Sequence, residues 1–164
     1  MRSRPPSHRD DPVLIRTVSS SVLIGAASGL RSQLGLAAVV LRANNGGQPP
    51  FLRTATAGRT VAAAAFTELL VDKSPRAPDR LRPAGLVARL VLSGLASGLF
   101  AHSEARPVAP SAALASATAL LAAKVGHDLR ARAVRSVPDP VVAVAEDGLA
   151  LYLAAAGTRP DPLR

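Results

Sequence analysis

The chain has 164 residues, of which Ala (33), Leu (23) and Val (16) supply 72, and only four are aromatic. Nearly half of it is apolar, which excludes an intrinsically disordered chain, and the absence of cysteine excludes disulfides, a zinc–thiolate site and a cysteine nucleophile. Twenty bases face eleven acids, but the bases fall between apolar runs and there are too few aromatics to stack nucleobases, so nucleic acid is not an expected partner.

Residues 1–14 read as a basic, proline-containing disordered tail, without the cleavage pattern of a signal peptide. An apolar segment follows, interrupted by Arg31, and ends in the loop Asn44-Asn45-Gly46-Gly47-Gln48-Pro49-Pro50. A shorter segment carries Glu68 and stops at Asp72-Lys73-Ser74-Pro75. Pro83 opens a third, where a first helical turn tolerates proline. The fourth begins apolar and becomes charged, and the last runs from an Asp139-Pro140 start to a Gly157 stop. No run alternates with the period of a strand, and Ala and Leu favour helix. The expectation is an all-α, polytopic membrane helical bundle of five helices, at 15–42, 58–72, 83–102, 110–135 and 139–157. Those helices form a single domain over 15–157, followed by a short tail over 158–164. Crossing hydrocarbon takes about 20 residues. The second helix is short by that measure, which leaves four to five spans.

Three features favour a bilayer over a soluble bundle. On a single helix over 15–42, Leu23, Leu30, Leu34 and Leu41 share one side while Ser21, Ser28 and Gly35 share the other. A soluble helix would carry charges opposite its leucines; a membrane helix packs small residues there. Gly25-x-x-x-Gly29 and Gly94-x-x-x-Gly98 are small-xxx-small motifs suited to helix packing, and could also pair two copies of the chain. With five spans and a cytoplasmic N-terminus, eleven bases fall inside and six outside, in the sense of the positive-inside rule. A multi-pass protein of the cell membrane is therefore expected.

The third feature is the set of ionisable residues inside the apolar segments. Arg31 lies on the small face of the first helix, Glu68 and Asp72 share a face, and Glu146-Asp147 interrupt the last helix. Charges in hydrocarbon face the bundle interior and pair or line a cavity, so Arg31, Glu68, Asp72, Glu146 and Asp147 are the expected intramembrane polar cluster, with Arg31, Glu68 and Glu146 at its centre. Gly29-Leu30-Arg31 also matches Asp128-Leu129-Arg130, each preceding a helix with a glutamate. Read as a duplication, this offset of three helices implies an inverted repeat.

The pattern Gly25-Ala-Ala-Ser-Gly29-Leu-Arg31, then Glu68-Leu-Leu-Val-Asp72-Lys73-Ser-Pro75, then Glu146-Asp147 in a terminal apolar helix resembles a bacterial integral-membrane family. That family is catalogued as domain of unknown function 4126. The resemblance covers about residues 17–157 and implies a multi-helix membrane architecture without supplying a reaction. No phosphate-binding glycine loop, dinucleotide fingerprint or nucleophile elbow occurs. His8, His102 and His127 are isolated, so no metal site, no cofactor and no enzymatic activity are expected. The functional expectation is a membrane protein that binds or passes a small solute or ion through the charged cluster. A non-catalytic membrane scaffold is the alternative, and a soluble nucleic-acid binder ranks third.

Overall fold

The computed structural model describes residues 10–42, 50–71 and 83–159. Among them the chain is wholly helical, with α1 (Asp10–Leu30), α2 (Leu34–Leu41), α3 (Ala55–Val71), α4 (Pro83–Ser103), α5 (Val108–Ala133) and α6 (Asp139–Gly157). A short 3-10 turn at Pro50–Arg53 precedes α3. Four helices are long and apolar enough to cross a membrane: α1 from Pro12, α4, α5 and α6.

The expected helix over 15–42 is in fact two. It breaks at Arg31-Ser32-Gln33, and α2 doubles back along α1: Gly35 lies against Ile24 and Ser28, and Val39 packs with Ile24. A continuous helix would hold residues 24 and 39 about 22 Å apart. Gly35 and Ser28 do meet, but across a hairpin and not as neighbours on one helical face.

The other registers follow from single contacts. Along α2, α3 returns antiparallel, with Gly58 beside Leu41 and Ala65 clustered with Leu34 and Ala37. On α4, Arg89 reaches Gly29 and Ser97 reaches Ser21, so α4 is antiparallel to α1. On α5, Ala115 faces Gly25 and Ala119 faces Gly29, so α5 is parallel to α1. Asp147 meets Arg31 and Gly157 meets Leu23, so α6 is antiparallel to α1. Successive helices thus alternate in direction. The starts of α1, α3 and α5 share one end of the bundle with the ends of α2, α4 and α6; we call this the N-terminal end. The parallel setting of α1 and α5 is the reverse of what an inverted repeat pairing Gly29-Leu30-Arg31 with Asp128-Leu129-Arg130 requires.

Packing between these helices rests on small residues. A Cβ built on Gly25 would overlap the Ala115 carbonyl oxygen, and one on Gly29 would overlap the carbonyl oxygen of Ala119. Ser111, Ala115, Ala119 and Ala123 form the facing stripe on α5, one residue in four. Gly94 and Gly98 approach the other flank of α5, at Ser116 and at Val108 and Ala112. All four glycines therefore stand at contacts with α5 of the same chain.

Burial runs opposite to that of a water-soluble bundle. The largest fully buried side chain among the described residues is Arg31, and Ser21, Ser28, Ser93, Ser97 and Ser111 are buried with it. Large apolar side chains point outward: Leu121 is 67 % exposed, Val144 62 % and Phe66 61 %. In water so many exposed large apolar side chains would be unfavourable. Against lipid they carry no such penalty, and the small, polar interior supplies the close helix contacts.

Candidate functional site: a charged helix break

Breaking a helix strands backbone groups on both sides: carbonyls at the end of α1 and N–H groups at the start of α2. Away from water each must find a partner. Within the turn, Arg31 N donates to Ala27 O and Leu34 N donates to Arg31 O. The remaining partners come from distant helices. The Glu68 carboxylate on α3 accepts from Ser32 N (2.9 Å), Gln33 N (2.9 Å) and the Ser32 hydroxyl (2.6 Å). On the opposite side Arg89 on α4 donates through Nε to the Gly29 carbonyl at 3.0 Å and through Nη1 to Gly85 O at 3.2 Å. A carboxylate therefore sits at the positive start of α2 and a guanidinium at the negative end of α1, the favourable pairing for both helix dipoles.

Arg31 stands at the break itself and turns toward α6. Its Nε and Nη2 lie 2.6 and 2.5 Å from Asp147 Oδ1. Arg31 is 2 % exposed and Asp147 9 %. Asp147 is the ninth of the nineteen residues of α6, and its neighbours on the same face are Ala143, Ala150 and Ala154, all buried. Two bases and two carboxylates (Arg31, Arg89, Glu68, Asp147) thus form a group without net charge around one turn of backbone. Along α5 from Ala119, the residue facing Gly29, the next exposed charge is Lys124, five residues or about 7.5 Å further on. The group therefore lies inside the apolar zone, nearer the end opposite the N-terminal one.

Glu146 belongs elsewhere. Consecutive residues on a helix diverge by about 100°, and Glu146 points to the far end, where its Oε2 accepts from Arg130 Nη1 at 3.0 Å. Arg130 also grips Asp139 through two bonds of 3.0 Å, joining the last turn of α5 to the first of α6. Lys124 and Asp128 pair at 2.7 Å on the exposed side of α5. Of the expected cluster, Arg31, Glu68 and Asp147 converge on the break, Glu146 does not, and Asp72 lies outside the described residues.

Arg89, Ser32 and Gln33 complete the site and were not singled out from sequence. For Arg89 a signal exists: it shares a helical face with Ser93, Ala96, Ser97 and Phe100, the buried side of α4. Asp147 likewise falls on the Ala143–Ala150–Ala154–Gly157 face, whereas Glu146 does not. No three His, Asp or Glu side chains gather to hold a metal among the described residues. No family model, no curated protein and no solved structure matches the chain.

Proposed function

We propose that this chain is a multi-pass, non-catalytic membrane protein that binds and passes a proton or small cation at the α1–α2 break. Glu68 and Asp147 are the exchangeable carboxylates in this reading, and Arg31 is the counter-charge that returns to Asp147 when the ion leaves. The observation that carries it is the discontinuous helix itself, held open by Glu68 and Arg89 within an apolar bundle. Irregular backbone at membrane depth is tolerated only where it is buried in protein or lines a cavity, and broken helices of this kind form the ion and solute sites of transporters. A purely structural contact would not call for it, since apolar replacement of a buried ion pair is often neutral or stabilising.

A second reading, a membrane scaffold, is favoured by one specific fact: Glu68 and Asp147 already accept short bonds from within the chain. The double variant Arg31→Met/Asp147→Leu separates the two. Reconstituted into vesicles loaded with a pH-sensitive dye and assayed under proton, sodium and potassium gradients, the unsubstituted chain is expected to carry flux. The double variant, folded to a similar stability, is expected to fall to the level of empty vesicles. No flux above empty vesicles from the unsubstituted chain supports the scaffold, and equal flux in both shows that ions do not pass by way of Arg31 and Asp147.

The cell membrane is the proposed location, with the N-terminal end cytoplasmic. Among the described residues Arg16, Arg42, Arg53, Arg59, Arg106 and Arg159 collect at that end, against Lys124, Arg130, Arg132 and Arg135 at the other. The hairpin moves Arg42, Arg53 and Arg59 to the N-terminal side, so the last described residues return to the side on which the chain starts. Membership of the family that the Gly-Leu-Arg and Glu-x-x-x-Asp-Lys-x-Pro motifs resemble belongs to this same proposal. The glycine faces being taken up by α5, lipid is the proposed partner of the remaining apolar surface.

A further inference from the structure

The outer surface carries a groove between α2 and α6, about 420 Å³ in volume and lined by Ala38, Leu41, Leu151 and Ala155 among others. It runs along α2 toward Arg42 and along α6 toward Thr158, and both residues line its end. The two helices run parallel here, with Leu34 near Ala150 at one end and Arg42 and Thr158 at the other, which we call the mouth. Eight residues of helix make the groove about 12 Å long, enough for a run of acyl methylenes.

The chemistry of the mouth differs from that of every other charged site described above. Glu68, Asp147, Asp139 and Glu146 each have an arginine or backbone donors as partners. The Thr158 hydroxyl is turned back onto the Ala154 carbonyl at 2.9 Å. Arg42 ends α2 with no carboxylate paired to it among the described residues, and Arg159 follows Thr158 as an exposed second base. Arg53 and Arg59 lie at the same end of the bundle, and Glu104 there is paired with Arg106. A cationic mouth on an apolar groove in a lipid-facing surface is complementary to one molecule class in particular.

We infer that the α2–α6 groove is a binding site for an anionic phospholipid, with an acyl chain along Ala38, Leu41, Leu151 and Ala155 and the headgroup phosphate on Arg42. The inference rests on the membrane part of the proposed function and not on ion passage. Arginine matches phosphate oxygens with its planar fork, and each base near the headgroup level strengthens attraction to anionic lipid. Bound there, the lipid would cover the outer side of α2, the short helix that forms one wall of the break. Occupancy would therefore bear on whether the Glu68 contacts with Ser32 and Gln33 hold.

The chain has no tryptophan, so a single one placed at Leu151 reports on the groove and one at Leu121 on open α5 surface. Both variants are reconstituted in phosphatidylcholine vesicles containing a minor fraction of bromine-labelled lipid, either phosphatidylglycerol or phosphatidylcholine. At Leu151 the brominated phosphatidylglycerol is expected to quench as though enriched about fivefold over phosphatidylcholine. At Leu121 the two are expected to quench alike. Adding Arg42→Gln to Leu151→Trp should return the two lipids to near parity. Equal quenching at Leu151, or a preference that survives Arg42→Gln, overturns the inference. A Leu151 probe silent to both lipids while Leu121 is quenched means that a second copy covers the groove, which also overturns it. Silence at both positions rejects the membrane reading itself. Native mass spectrometry of the unsubstituted chain, with phosphatidylglycerol retained over phosphatidylcholine as the expected result, reads the same preference without any probe.

Discussion

Glu146 and Asp147 are adjacent in the chain and both bond an arginine, yet they belong to different environments. Asp147 meets Arg31 among buried alanines; Glu146 meets Arg130 at the end of the bundle, where Asp139 shares the same guanidinium. One step along a helix separates a carboxylate paired with the buried Arg31 from one paired with Arg130, a guanidinium that is 20 % exposed and shared with Asp139. Removing one partner of a buried pair leaves the other charge desolvated, at roughly 3–5 kcal/mol; Arg130 keeps Asp139 when Glu146 is removed, so the loss there is smaller. The two carboxylates are equally covered, so what their arginines keep after the loss decides.

That contrast can be broken experimentally in order of effect. Asp147→Ala is expected to destabilise the protein by about 3–5 kcal/mol in denaturant titration in detergent, because the buried Arg31 loses its Nε hydrogen bond and its ion-pair partner. A loss below about 1 kcal/mol would mean that water reaches Arg31. Glu68→Ala comes next, with a loss of about 1.5–3 kcal/mol from the charge-assisted bonds to Ser32 and Gln33. Hydrogen exchange at those two amides should quicken with it, while exchange on α5 stays unchanged. Gly29→Ala tests the uncharged seam: its Cβ would meet the carbonyl of Ala119 and the Cβ of Ala122, costing about 1–3 kcal/mol as α1 and α5 are pushed apart. Glu146→Ala is the smallest, because Arg130 keeps its two bonds to Asp139 when Glu146 is lost. If Glu146→Ala costs as much as Asp147→Ala, the two environments are alike and the comparison fails.

Much of this arrangement is legible in the residues, and what is not has a physical reason. Helical class, the long apolar segments and the glycine faces of α1 and α4 follow from composition and spacing, both of which are local. The break at Arg31-Ser32-Gln33 contains neither Gly nor Pro. What stabilises it is Glu68 and Arg89, dozens of residues away, so no local pattern announces it. Once the helix is taken as continuous, Leu34 falls on the lipid side; in the hairpin it is buried against Ala65 and Ala150. Orientation suffers in the same way, because one missed reversal moves Arg42, Arg53 and Arg59 to the other end. The choice of Asp147 over Glu146 was available from the small-residue face of α6, since the residues at Ala143, Ala150 and Ala154 already mark the buried side.

The reversal at Arg31–Gln33 is the claim on which the site, the orientation and the lipid groove all depend. The chain has no cysteine, so single cysteines at Pro12, Arg53, Ala105, Ser136 and Arg159 can be labelled with a membrane-impermeant thiol reagent in sealed vesicles. The hairpin predicts that Pro12, Arg53, Ala105 and Arg159 react from one face of the membrane and Ser136 from the other. Pro12 and Arg53 reacting from opposite faces would mean that the first helix runs straight through, and would contradict the account.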